Sequence, residues 1–126
     1  MASAASSSVN GLVWTRFFGS TELDDPFAIS ASKDGSVYVA GSTYGAWDSQ
    51  KNAGYRDAYV SKYTQAGERV WTRLIGNDSM QEGFGIATYT DGSVYVVGRT
   101  GSSTSVGIDG QPHASIGLDD VFVTKF

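Results

Sequence analysis

The sequence predicts an all-β chain made of two copies of one four-stranded unit. Three observations lead there. Val13-Trp14-Thr15-Arg16 returns as Val70-Trp71-Thr72-Arg73, and Asp34-Gly35-Ser36-Val37-Tyr38-Val39 returns as Asp91-Gly92-Ser93-Val94-Tyr95-Val96, both at an offset of 57 positions. Such self-similarity at a fixed period is the mark of a repeat architecture. Each copy carries Asp-Gly between runs of β-branched and aromatic residues, a strong hairpin signal because glycine accepts the positive φ of a tight turn. Finally, no segment places apolar residues at helical spacing over three turns.

The elements follow in order. Met1 to Asn10 is rich in Ser and Ala and reads as a disordered leader. Residues 12–18 read as a strand because they match 69–75. Strand A of the first copy is predicted at 27–33 and strand B at 36–42, joined through Asp34-Gly35. Strand C at 57–63 and strand D at 68–75 are joined through Thr64-Gln65-Ala66-Gly67-Glu68. The second copy supplies A at 84–90, B at 93–99 and C at 120–126. Asp57 to Tyr63 matches Asp120 to Phe126 at an offset of 63, so the second copy carries six extra residues between B and C, which marks a loop.

A four-stranded unit of this length cannot bury both faces alone and stacks on its neighbours, as the blades of a β-propeller do. The domain is then 11–126, with blade one at 26–75 and blade two at 83–126. Blade two lacks a D strand, while 12–18 is a D strand with no A, B or C before it. The expectation is that 12–18 of one chain completes blade two of another. Identical chains then close into a ring, six-bladed as a homotrimer or eight-bladed as a tetramer. Val13, Trp14, Thr15 and Arg16 would pair with Val121, Phe122, Val123 and Thr124 of the neighbour.

The runs Gly-Ser-Val-Tyr-Val-Ala-Gly-Ser-Thr (35–43), Asp-Ala-Tyr-Val-Ser-Lys-Tyr (57–63) and Trp-Thr-Arg-Leu-Ile-Gly (71–76) resemble the bacterial seven-bladed β-propeller repeat (SBBP) family. The resemblance covers nearly all of 12–126. It implies a propeller of the kind found in secreted or surface proteins of bacteria, in many cases with no assigned activity. Two blades rather than seven depart from that pattern.

Charge and composition narrow the function classes. A net charge of -4, with nine Lys and Arg scattered singly, offers no basic stripe for a phosphate backbone, so nucleic acid is not an expected partner. No apolar run approaches the roughly 20 residues of a spanning helix, and no membrane partner is expected. Cysteine is absent, which removes disulfides, thiolate nucleophiles and Cys-ligated zinc. His113 is the single histidine and no Gly-x-Ser-x-Gly elbow exists, so an enzyme is not expected.

In an alternating sheet the B–C and D–A connections share one end, and here they are the long ones (19–26, 43–56, 76–83 and 100–119). That end is the expected ligand face. Tyr44, Trp47 and Tyr55 in its first long loop are the kind of aromatic set that stacks on sugar rings, with Trp47 also readable as an anchor pinning the loop. Asp25 and Glu82 occupy matching positions just before strand A, near the expected channel mouth. Asp48, Gln50, Asn52 and Asp57, echoed by Asp109, Gln111 and Asp120, have the alternate-residue oxygen spacing of a calcium loop, although Asx-turns explain the same residues. The expected function is a non-enzymatic binding and assembly module that self-associates and offers a loop face to a glycan or protein. The alternatives are a purely structural unit, natural or engineered, and a glycan-binding lectin.

Overall fold

A computed structural model of the chain describes residues 10–101, 108 and 117–126. Its strands are β1 (Asp24–Ala31), β2 (Val37–Thr43), β3 (Asp57–Tyr63), β4 (Arg69–Ile75), β5 (Gln81–Thr88), β6 (Val94–Gly101) and β7 (Asp119–Lys125). They form two antiparallel sheets, β1-β2-β3-β4 and β5-β6-β7, and the described residues contain no helix. The expected positions of B, C and D match β2, β3 and β4 to within a residue.

Two expectations shift. Strand A and its copy each begin three residues earlier than their apolar alternation suggests. The reason is a bulge: Asp24, Asp25 and Pro26 pair with Thr43, Ser42 and Gly41, and the register then slips so that Ala28 faces Ala40. The second sheet slips at the matching place, between Gly83 and Gly85. An extra residue at the bulge, Phe27 or Phe84, breaks the period of two and hides the first rungs. The second shift concerns Leu12–Phe18, which forms no ladder within the single chain. A strand exists only through a partner's amides and carbonyls, and this segment meets side chains and a turn instead.

The β1–β2 and β5–β6 turns are built alike. Gly35 and Gly92 take φ of 83° and 89°, while Asp34 Oδ1 and Asp91 Oδ1 accept the amides of Ser36 (2.9 Å) and Ser93 (2.8 Å). The Ser32 hydroxyl and the Ser36 amide hold the Asp34 carboxyl down at about 2.

Directly opposed pairs define the faces. Tyr38 and Lys62, Ala40 and Val60, and Ser42 and Ala58 lie opposite one another, so they share one side of the first sheet, its front. The matching residues put Tyr95, Val97, Val121 and Val123 on the front of the second sheet. The core is the front of the first sheet (Ala40, Ala58, Val60, Ile75) against the back of the second (Val96, Phe122). Trp71 and Ile86 pack at its rim, and the rings of Trp71 and Phe126 lie 6.1 Å apart. Ser30 and Thr88 tie β1 to β5 through their hydroxyls at 3.0 Å.

The back of the first sheet is covered over β3 by the chain itself. Trp47 lies 5.0 Å from Tyr59, and Phe18 lies 5.0 Å from Tyr63. Trp14 Nε1 donates to the Gln65 carbonyl at 3.1 Å and Arg16 Nε to the Gly67 carbonyl at 2.9 Å. Arg16 sits 5.7 Å over the Trp14 ring, the same spacing that Arg73 keeps over Trp71 in β4. Residues 12–18 thus repeat the Trp–Arg spacing of β4 without its ladder.

Glycines at two matching positions let the sheets be this thin. A Cβ on Gly41 would meet the Asp25 carbonyl and the Tyr59 ring, and one on Gly98 would meet the Glu82 carbonyl and the Phe122 ring. The backbone carbonyls cannot swing aside as a flexible side chain would. Gly41→Ala and Gly98→Ala should each lower stability by about 1–3 kcal/mol or more in urea denaturation. Unchanged midpoints in both would contradict this packing.

Candidate functional site

The long connections meet at one end of the two sheets. The Tyr55 amide donates to the Ser79 carbonyl at 3.1 Å and the Gln81 amide to the Arg56 carbonyl at 2.6 Å, so the β2–β3 and β4–β5 loops are laced together. Gln81, fully buried, supports the lacing: its Oε1 accepts the Asn77 amide at 3.1 Å, and its Nε2 donates to Asn77 Oδ1 and, at 3.2 Å, to Thr100 Oγ1.

A chain of alternating charge runs across this end. Arg56, just before β3, pairs with Asp25 of β1 and with Glu82 of β5. Glu82 also takes Arg99 of β6 at 2.6 Å, and Arg99 reaches Asp119 of β7 at 3.2 Å. Arg56 and Glu82 are nearly buried, with side chains 11% and 8% exposed, whereas Asp25, Arg99 and Asp119 keep solvent access. Burying two charges is tolerable only when each is matched, and the two guanidiniums on one carboxylate meet that condition. The Arg56 guanidinium also lies 4.9 Å over the Tyr44 ring, which meets Tyr55 edge-on at 5.3 Å.

Asp25 and Glu82 are therefore brought together, through Arg56. Tyr44 and Tyr55 adjoin them, and Tyr55 is 70% exposed. Trp47 belongs elsewhere: it is buried between Phe18 and Tyr59, so its ring face is not open to a ligand. Ile108, its match in the second copy, packs against the core, so the anchoring role is common to both.

The oxygen-bearing residues of the first long loop hold the loop. Trp47 and Gln50 exchange backbone hydrogen bonds of 2.9 and 2.8 Å around Asp48 and Ser49, both at positive φ, the geometry of a tight hairpin turn. Asp48 pairs with Arg69. Gln50 donates from Nε2 to the Thr72 carbonyl at 2.6 Å and accepts the Leu74 amide at 3.0 Å, so one carboxamide satisfies two backbone groups of edge strand β4. Asn52 donates to the Thr43 carbonyl at 3.1 Å and accepts the Gly54 amide at 3.0 Å. Asp57 accepts the Ala53 amide at 2.8 Å. Among the described residues no three acidic or histidine side chains group as they would around a metal ion. Asp120 stands in β7 opposite Thr100, and Asp109 and Gln111 lie outside the described residues.

Sequence reasoning missed Arg56 and Arg99. The available signal was parity: Arg56, just before β3, continues the alternation of Ala58 and Val60, which puts the arginine on the packed face. A lone cation there needs a carboxylate, and Asp25 and Glu82 were the matched candidates.

Asp57 is nearly inaccessible, and its Oδ1 has no hydrogen-bond partner among the described groups. Burial raises its pKa, outweighing the lowering by the Ala53 and Gly54 amides. A raised pKa means the folded chain holds the proton more tightly, so the ionised group costs stability above that pKa and the cost fades as pH falls through it. The melting-temperature difference between Asp57→Asn and the parent should then favour the variant most near pH 7 and shrink on acidification. A pH-independent difference would contradict this.

No family model matches the chain. Over 112 residues it is 30% identical to the regulatory protein FlaEY of Caulobacter vibrioides. The alignment takes in 81% of this chain and 12% of that protein, so the chain spans a small part of the relative it matches.

Proposed function

We propose that the chain is a non-enzymatic assembly module: two β-propeller blades that stack front on back with further copies of themselves and close into a ring of three chains. The observation behind this is a mismatch between equivalent positions. Ala40, Ala58 and Val60 on the front of the first sheet are fully buried by the second sheet, while their matches Val97, Val121 and Val123 are 42%, 78% and 70% exposed. An apolar sheet face of this kind marks an interaction surface. The surface that fits it is the one already covering its twin, the back of a sheet of this repeat. On the back of the first sheet, Ile29 is 70% exposed where its match Ile86 packs against the core.

The segment at 12–18 supports the same reading. It lies over the back of the first sheet with the Trp-Arg arrangement of β4, so an incoming β7 from a second copy would find its fourth strand in place. Heterologous contact of this kind repeats around an axis and closes, at six blades for three chains and eight for four. The motifs that resemble SBBP repeats agree with this stacking. In this reading the loop end, with Tyr55 exposed and Arg56, Asp25 and Glu82 behind it, is the face offered to a glycan or protein ligand, and the protein needs no metal or cofactor.

Light scattering should give about three times the chain mass of 13.3 kDa, or about four times if the ring holds eight blades. Val123→Glu, which puts a charge on the exposed front face, and deletion of residues 1–19 should each reduce the particle to one chain. A parent chain that stays monomeric at all concentrations contradicts the reading.

A further inference from the structure

Resting on that stacking, we infer that its partner recognition is electrostatic at one point: Arg99 of one copy takes Asp25 of the next. Within the chain, the stacked sheets are joined by a cation on the front of the first sheet, Arg56, which holds its own sheet's carboxylate, Asp25, and the next sheet's, Glu82. Asp25 and Glu82 are the same position in the repeat, 57 residues apart.

In the second sheet the arginine has moved. The match of Arg56 is Asp119, and the match of Ser42 is Arg99, on the neighbouring strand and on the same front face. Arg99 already holds its own sheet's carboxylate, Glu82, as Arg56 holds Asp25. Its second carboxylate is the exposed Asp119 of its own sheet, at 3.2 Å, so the place that Glu82 takes for Arg56, the carboxylate of the sheet stacked on its front, is left to a second copy, where that position is Asp25.

The carboxylates tell the same story. Glu82 is shared between two guanidiniums, Arg56 on Oε1 and Arg99 on Oε2. Asp25 takes one, Arg56 on Oδ2. Arg99 and Asp25 are 40% and 38% exposed, so both have room for a further contact. A front-to-front dimer would instead bring Arg99, Lys125 and Asp119 of one copy toward the same groups of another and leave Asp25 unused. The pair thus selects the head-to-tail arrangement, and stacking would close an unbroken ring of alternating arginine and carboxylate.

The test is a double-mutant cycle on the association constant of the full chain, measured by sedimentation for the parent, Arg99→Met, Asp25→Asn and the double variant. Methionine keeps the apolar stem, and the cycle cancels whatever Asp25→Asn does to Arg56 within its own chain. Each single change should weaken association about tenfold or more, and the double should be no weaker than the worse single, a coupling of about tenfold. Circular dichroism of each variant checks that the fold is retained. Strictly multiplicative effects overturn the pair. If they occur while Val123→Glu still dissociates the parent particle, stacking stands and its electrostatic key does not. A monomeric parent overturns both.

Discussion

A sheet with apolar residues on both faces has to be covered twice, and that requirement organises this chain. The first sheet meets it from one side with the second sheet and, over β3 alone, from the other with Phe18 and Trp47, while Ile29 of β1 stays open. Where it is met, side chains as small as Ala40 and Ala58 lie fully buried. A larger aliphatic side chain buried there, such as Val60, contributes on the order of 1.5–3 kcal/mol. The second sheet has the same two faces and, in the single chain, one cover.

Thin stacking sets the local chemistry. Gly41 and Gly98 permit the rings of Tyr59 and Phe122 to lie against the strands. Tyr59 pays with a phenol pushed up to about 12 by burial and by Asp24 and Asp25. At the loop end the arginines neutralise carboxylates that would otherwise face one another. The loop's oxygens are spent on amides and carbonyls, most clearly in Gln50, whose carboxamide occupies the edge of β4.

Much of the strand plan was legible in the sequence. The Asp-Gly turns located the hairpins, the 57-residue offset located β2, β4 and β6, and the 63-residue offset located β3 and β7, because these carry uninterrupted alternation. The first rungs of β1 and β5 were not legible, since Phe27 and Phe84 break the alternation at the bulges. Asp25 and Glu82 were found by matching positions, yet the arginine joining them was not, because an ion pair between sheets depends on stacking that no local pattern encodes. Trp47 illustrates the converse: a loop aromatic looks exposed in sequence, and only the packing of Phe18 and Tyr59 shows where its ring goes.

The central claim is that the front of the second sheet is covered by the back of another copy. Amide hydrogen exchange of residues 119–125, followed as a function of chain concentration, tests it most directly, since under the proposed stacking β7 gains its second paired neighbour on association. The account predicts protection across β7 that rises with concentration, together with new protection over 12–18. Exchange in both segments that is equally fast at every concentration would contradict it.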